Sequence, residues 1–154
     1  MVGAELTESI VLAAGSSLRL YPMPESHPKA LIELVEGTPI IDVVARTAWL
    51  LGVERLWVVA RDHEIEFRRC CQRISRKYEL DAETHILPRA TRTSLETLRS
   101  SVSLVDSPPV VLLGDDVTLA MSLLNLRRKF SLLKPAILQA VTQENDRRIL
   151  IQTC

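Results

Sequence analysis

Two stretches of the chain carry the residues whose chemistry suggests a task. In LAAGSSLRLYPMPESHPKAL, residues 12–31, the small residues Ala13, Ala14 and Gly15 lead through Arg19 and a proline-stiffened path to Lys29. Small side chains let a ligand approach the backbone, where amides can meet phosphate oxygens. Arg19 offers a planar fork of donors and Lys29 a mobile point charge, two ways of neutralising a polyphosphate. The second stretch is GDD, residues 114–116, directly after the apolar run VVLL. A carboxylate such as Asp115 at a strand's carboxyl end can take a hard divalent cation, and Mg²⁺ needs only one or two protein carboxylates besides phosphates and water. Two plainer readings stay open from position alone. Arg19 and Lys29 can be solvated loop charges, and Asp115 or Asp116 can cap a helix starting near Thr118.

Other chemistries find less support. The P-loop pattern is absent, and the dinucleotide fingerprint lacks its second and third glycines. His27, His63 and His85 fall in no recognisable triad and read as surface or packed histidines. Cys70, Cys71 and Cys154 are odd in number and lack metal-ligand spacing, which fits a reducing, cytoplasmic setting. Nineteen basic and nineteen acidic residues cancel, so no overall field draws the chain to nucleic acid or an anionic membrane. No apolar run reaches the roughly 18 residues of a membrane span, and Glu5 and Glu8 stand where a signal peptide would be basic.

These residues need elements to hold them. With 154 residues, 47% of them hydrophobic, the chain suits one domain around one core. SIVLAA at 9–14 reads as a first buried strand and ALIELV at 30–35 as a brief extended piece. Thr38 then offers a helix N-cap with Pro39 at the first helical position, and Gly52 ends that helix. RLWVVA at 55–60 is a second strand. In the following helix Phe67, Cys70, Cys71, Ile74 and Tyr78 share a face, leaving Arg68, Arg69, Arg73 and Arg76 to solvent. THIL at 84–87, a helix over 92–104 and VVLLG at 110–114 continue the alternation. Leu119, Leu123, Leu126 and Phe130 mark another amphipathic helix, and PAILQAVTQ and RILIQ a hairpin around ENDR. Such alternation predicts a three-layer α/β/α sandwich with a mainly parallel sheet, whose ligand site lies beyond the carboxyl ends of its strands.

The order and spacing of LAAGSSLRLYPMPESHPKALIEL, GTPIIDVVARTAWLLGVERLWVVA and VVLLGDDV resemble the sugar-phosphate nucleotidyltransferases. In that family the opening pattern is roughly L-A-A-G-x-G-x-R-L-x-P, then P-K-x-L, and Arg19, Pro22, Pro28 and Lys29 occupy the matching places. Ser17 replaces the second glycine and Pro24 stands where threonine is common. TRTSLETL is similar to the N-x-x-S-L segment of members that activate phosphocholine, with Ser94 in the serine place and Thr91 in that of asparagine. The resemblance implies a Rossmann-like fold of the nucleotide-diphospho-sugar transferase type. It implies that Ala13, Ala14 and Gly15 lie against a nucleoside triphosphate, Arg19 grips its outer phosphates and Lys29 faces the α-phosphate. Asp115 would hold Mg²⁺ between nucleotide and acceptor, with Ser94 near base or ribose.

The family's reaction is attack by a phosphorylated acceptor, such as a sugar 1-phosphate, on the α-phosphorus, releasing pyrophosphate. Phosphocholine or inositol-phosphate cytidylyltransferase chemistry is a variant of it. The resemblance reaches the nucleotide-binding half, so the acceptor-binding half is expected to be absent from a C-terminally truncated single domain, 1–154. A homo-oligomer or a completing chain would then supply the rest. A non-catalytic nucleotide-binding or regulatory module is the competing expectation.

Overall fold

The computed structural model describes residues 7–15, 27–115, 138–142 and 149–153. Strand β1 (Glu8–Leu12) is buried along its whole length, as a strand covered on both faces must be. A 3-10 turn (Lys29–Leu31) leads into β2 (Glu33–Val35) and the short β3 (Thr38–Pro39). Helix α1 (Ile40–Leu50), strand β4 (Arg55–Ala60), helix α2 (Glu64–Tyr78) and strand β5 (Asp81–Ile86) follow. Helix α3 (Ser94–Ser101) and strand β6 (Val110–Leu113) come next, then β7 (Leu138–Thr142) and β8 (Ile149–Thr153).

The central sheet has the order β5-β4-β1-β6, and all three of its pairings are parallel. Period-2 alternation then assigns side chains to layers. Val11, Leu56, Val58 and Ala60 pack on one face against Val44, Ala45 and Ala48 of α1 and Phe67, Cys71 and Ile74 of α2. Ile10, Leu12 and Val59 pack on the other with Leu87, and Leu98 of α3 closes over them. The result is the expected three-layer α/β/α arrangement.

Several polar groups taken into this core find hydrogen-bond partners, as burial favours, while Oδ1 of Asp42 and Nε1 of Trp57 are buried without one among the described residues. Ser9 donates through Oγ to the Val110 carbonyl at 2.9 Å. Glu8, 7% exposed, accepts at Oε2 from the Asp106 amide and from both the amide and hydroxyl of Ser107. Burial pushes the Glu8 carboxyl up, but those hydrogen bonds, aided by the Arg55 charge, outweigh it and hold the group below the usual carboxylate range. On α1, Asp42 is buried and accepts from Lys77 at 2.7 Å and Tyr78 at 3.2 Å, tying α1 to the end of α2.

Several boundaries differ from the sequence reading. Thr38 does not cap α1. It pairs with Val35 in β3, and the helix starts at Ile40 with Pro39 in the N-cap place and no side-chain cap. The stretch 30–35 divides because the chain turns over Lys29 before extending. The third strand starts at Asp81, three residues before THIL, because its register follows β4 through Arg55↔Asp81 to Ala60↔Ile86. The helix over 92–104 tightens after Ser101 into a 3-10 turn, Val102–Leu104. Gly52 does end α1, at φ +77°, a conformation glycine adopts without penalty. The hairpin is present as antiparallel β7 and β8, in register Leu138↔Thr153. The helix expected around Leu119 to Phe130 lies outside the described residues. Among those described, no helix is long and apolar enough to cross a membrane.

Candidate functional site

Because the four central strands are parallel, their carboxyl ends share one edge, and the turns leaving them stand in the order of the sheet. Arg61 follows β4, Ala13–Gly15 follow β1, and Gly114 and Asp115 follow β6. A cleft of about 460 Å³ opens across this edge. It is lined by Ala13, Ala14, Gly15, Lys29, Ser94 and Asp115, six of the seven residues singled out from sequence. The seventh, Arg19, lies outside the described residues, as does Asp116.

The exit of β1 is shaped for close approach. The Ala13 amide remains committed to the sheet through the Val59 carbonyl at 2.8 Å, so it is not free for a ligand. The amides of Ala14 and Gly15 carry no backbone partner among the described residues. Among the described residues, nothing lies within 4 Å of the place a Gly15 Cβ would take. Gly114 is the opposite case. A Cβ there would stand 3.0 Å from Ala13 Cβ and 3.1 Å from the Leu12 carbonyl oxygen, so glycine is what lets the β6 exit close onto the β1 exit. The Gly114 amide bonds that same Leu12 carbonyl at 2.9 Å.

Lys29 reaches this edge through its 3-10 turn, with the Leu31 amide on the Pro28 carbonyl and Ala30 buried beneath. Its Nζ stands 3.5 Å from Oδ2 of Asp115, with the two side chains 24% and 45% exposed. A pair this exposed contributes little to stability. Its place at the floor of the cleft matters more, since it sets a cation and a carboxylate where two strands end.

The loop before α3 also lines the cleft. Thr93 caps the helix, its Oγ1 accepting from the Glu96 amide, while Glu96 reaches back to accept from the Arg92 amide at 2.7 Å. This is a near relative of the capping box. Thr97, 3% exposed, shares a 2.6 Å hydroxyl contact with Thr91. Ser94 therefore sits at the first helical position on a braced loop, facing the cleft.

Two cleft cations escaped the sequence reading, Arg61 and Arg92. Arg61 belongs to no motif, and Arg92 stands at an unspecified position of the N-x-x-S-L segment. The available signal was positional, since Arg61 is the first residue beyond a strand that ends on the ligand edge. Arg61 donates from Nε and Nη2 to Oδ2 of Asp62 at 3.1 and 3.0 Å. With Lys29 and Arg92 against Asp115, and Arg61 paired with Asp62, the described lining suits an anionic ligand. Cys71 is remote from this chemistry. It is buried in the α2 face of the core, and burial pushes its thiol up to about 11 despite the Thr84 hydroxyl beside it.

The family model described as nucleotidyl transferase matches residues 8–148. This chain belongs to the nucleotidyl transferase family. The motif resemblance to the sugar-phosphate nucleotidyltransferases is thereby borne out at the level of family. The chain is 45% identical over 56 residues to the 2-aminoethylphosphonate cytidylyltransferase of Lancefieldella rimae, covering 36% of this chain and 22% of that protein. Its fold is similar to that of the inositol-1-phosphate CTP transferase from T. maritima, with a TM-score of 0.64 at 19% identity, over 77% of this chain and 47% of that one. It is also similar to a UDP-glucose pyrophosphorylase complexed with UDP-glucose, with a TM-score of 0.71 at 17% identity, over 89% and 58%. A third likeness is to a putative glucose-1-phosphate thymidylyltransferase from Bacillus anthracis, with a TM-score of 0.70 at 18% identity, over 95% and 63%. The nucleotidyl transferase chain spans less than two thirds of the length of each. The structural likenesses establish the Rossmann-like fold.

Proposed function

We propose that the cleft binds a nucleoside triphosphate with Mg²⁺ and that the domain serves transfer of the nucleoside monophosphate to a small phosphorylated acceptor, releasing pyrophosphate. The observation that carries this reading is the approach of Lys29 to Asp115 beside Ala13–Gly15, which gathers three segments distant in sequence at one strand edge. Cytidine is the nucleoside favoured by the 45% match to a cytidylyltransferase.

The donor set fits Mg²⁺. Among the described residues no group of three or more His, Cys, Asp or Glu could cage a metal, and Asp115 leaves the remaining positions to phosphate oxygens and water, the usual way Mg²⁺ is held. When bound, the ion would neutralise charge on the phosphates as two anions approach. In this reading Lys29 adds a mobile positive charge near the α-phosphate, and the Ala14 and Gly15 amides meet phosphate oxygens. Ser94, on its braced loop, lies toward the base or ribose. No protein nucleophile is needed, because such transfers depend on alignment and charge neutralisation.

A pyrophosphate-release assay tests this, with a panel of nucleoside triphosphates against sugar 1-phosphates, inositol 1-phosphate, phosphocholine and 2-aminoethylphosphonate. Turnover with CTP and one such acceptor is the expected result. Mg²⁺-dependent nucleotide binding without turnover for any pair would assign this chain the non-catalytic binding role, and absence of binding would sink the reading.

A further inference from the structure

Arg61 lines the cleft without a part in the proposed chemistry. It begins the β4–α2 turn, where it forms a compact network with its neighbours. Both Nε and Nη2 donate to a single oxygen, Oδ2 of Asp62. Oδ1 of Asp62 lies 3.9 Å from Nε2 of His63, and Nδ1 of His63 lies 3.6 Å from Oε1 of Glu66. His63 itself adopts φ +58°, left-handed backbone held at the entry to α2. An uncommon conformation of this kind persists where the surrounding structure enforces it. Here it stands at the N-cap place of α2, two residues beyond Arg61, which lines the cleft.

The geometry of the pair says what Arg61 has left to offer. Its Nε edge is spent on Asp62. The outer edge, Nη1 with the second hydrogen of Nη2, has no partner among the described residues. That edge presents two parallel N–H donors, the fork that matches two adjacent acceptor atoms. Asp62 also balances the charge of Arg61, so the pair acts as an array of donors more than as a free cation. A neutral ligand edge suits it better than a phosphate. Position agrees, because sheet order puts Arg61 and Asp115 on opposite sides of the β1 exit, two strand spacings or roughly 10 Å apart. That span lets a nucleotide whose α-phosphate lies at Lys29 and Asp115 reach Arg61 with its base.

We propose that Arg61, aimed by Asp62, reads the base of the bound nucleotide, offering its outer pair of donors to the adjacent acceptors O2 and N3 of cytosine. The proposal rests on the nucleotide reading of the same cleft. Uracil places an N3–H donor against that fork, so the two pyrimidines differ in the contact that counts. A site built around such a hydrogen-bond pattern rejects the base that cannot complete it. Asp62 is a positioning residue, acting through Arg61.

Calorimetric titration of the full chain in Mg²⁺ with CTP, UTP, GTP and inorganic tripolyphosphate tests this, with circular dichroism confirming that each variant is folded. The unsubstituted chain is expected to prefer CTP over UTP by about tenfold or more, the discrimination of one bidentate contact. Arg61→Lys, which keeps the charge and loses the fork, should bring CTP and UTP together while tripolyphosphate affinity holds. Asp62→Asn should erode the preference in part, again without moving tripolyphosphate. A preference that survives Arg61→Lys overturns the proposal. So does a parallel loss of CTP, UTP and tripolyphosphate, which would make Arg61 a phosphate contact. Equal binding of CTP and UTP by the unsubstituted chain, or tighter binding of GTP, removes the base assignment and leaves the nucleotide site standing. No binding of any of the four ends both.

Discussion

Lys29 and Asp115 are 86 positions apart in the chain and 3.5 Å apart in the fold. Their exposure makes them poor stabilisers, so removing either should leave folding within about 1 kcal/mol of the original. Ligand binding is where the loss should appear. Lys29→Ala and Asp115→Ala are each expected to weaken Mg²⁺-nucleotide binding by about tenfold or more, the worth of a charged contact, with melting temperature held nearly constant. Parallel titrations and thermal melts would check both halves of that statement. Glu8 is the contrasting residue, buried and structural. Its folded pKa is depressed, so its contribution to stability is full above the unfolded carboxylate value near pH 4.3 and is lost as pH falls through the folded value. Glu8→Gln should cost about 1–3 kcal/mol at pH 7, and the gap should close as pH drops below about 4. Urea unfolding of both proteins at pH 7 and in acid would measure it.

At the scale of elements, the cleft depends on how strand exits and helix starts are held. Gly114→Ala should push the β6 exit away from β1, because its Cβ would meet Ala13 and the Leu12 carbonyl at 3.0–3.1 Å. We expect a loss of about 1–3 kcal/mol, typical of overpacking, together with weaker nucleotide binding. Gly15→Ala meets nothing within 4 Å among the described residues and should spare the melting temperature, any effect falling on the ligand. Comparing the two variants by thermal melt separates scaffold from site. Thr93→Ala removes the α3 cap and should cost about 1 kcal/mol. It should also loosen the wall that carries Ser94 and Arg92, which titration would register as lower nucleotide affinity. Elements were legible where their pattern was local. RLWVVA occupies the strand expected of it because its β-branched run is bounded by Glu54 and the charged turn at Arg61. Thr38 does not cap α1 because a competing local structure takes it: a tight hairpin with Gly37 at φ +72° pairs it with Val35 in β3.

For the whole molecule, the proposed metal role has a direct consequence. Mg²⁺ with CTP should stabilise the folded state by about 2.7 kcal/mol at a hundredfold excess over Kd, and so raise the melting temperature. Chelation with EDTA should abolish most of that gain and any pyrophosphate release. A thermal shift that is identical with and without Mg²⁺ would argue against Asp115 as a metal contact.

The amino-acid sequence by itself determined the class of fold and most of the cleft's chemistry. The alternation of short apolar runs with amphipathic helices leaves few arrangements other than a covered parallel sheet. Ala13–Gly15 end the first predicted strand and Asp115 follows VVLLG, where that architecture puts ligands, while Lys29 was legible from its place in the P-K-x-L pattern. Only the tertiary structure decided which residues share the site. Strand order brings the exits of β4, β1 and β6 side by side, and no local pattern encodes that order. For the same reason Arg61, an ordinary surface arginine in sequence, became a cleft residue only when β4 took its place beside β1. The aim of its side chain depends on Asp62, a consequence of how the chain enters α2.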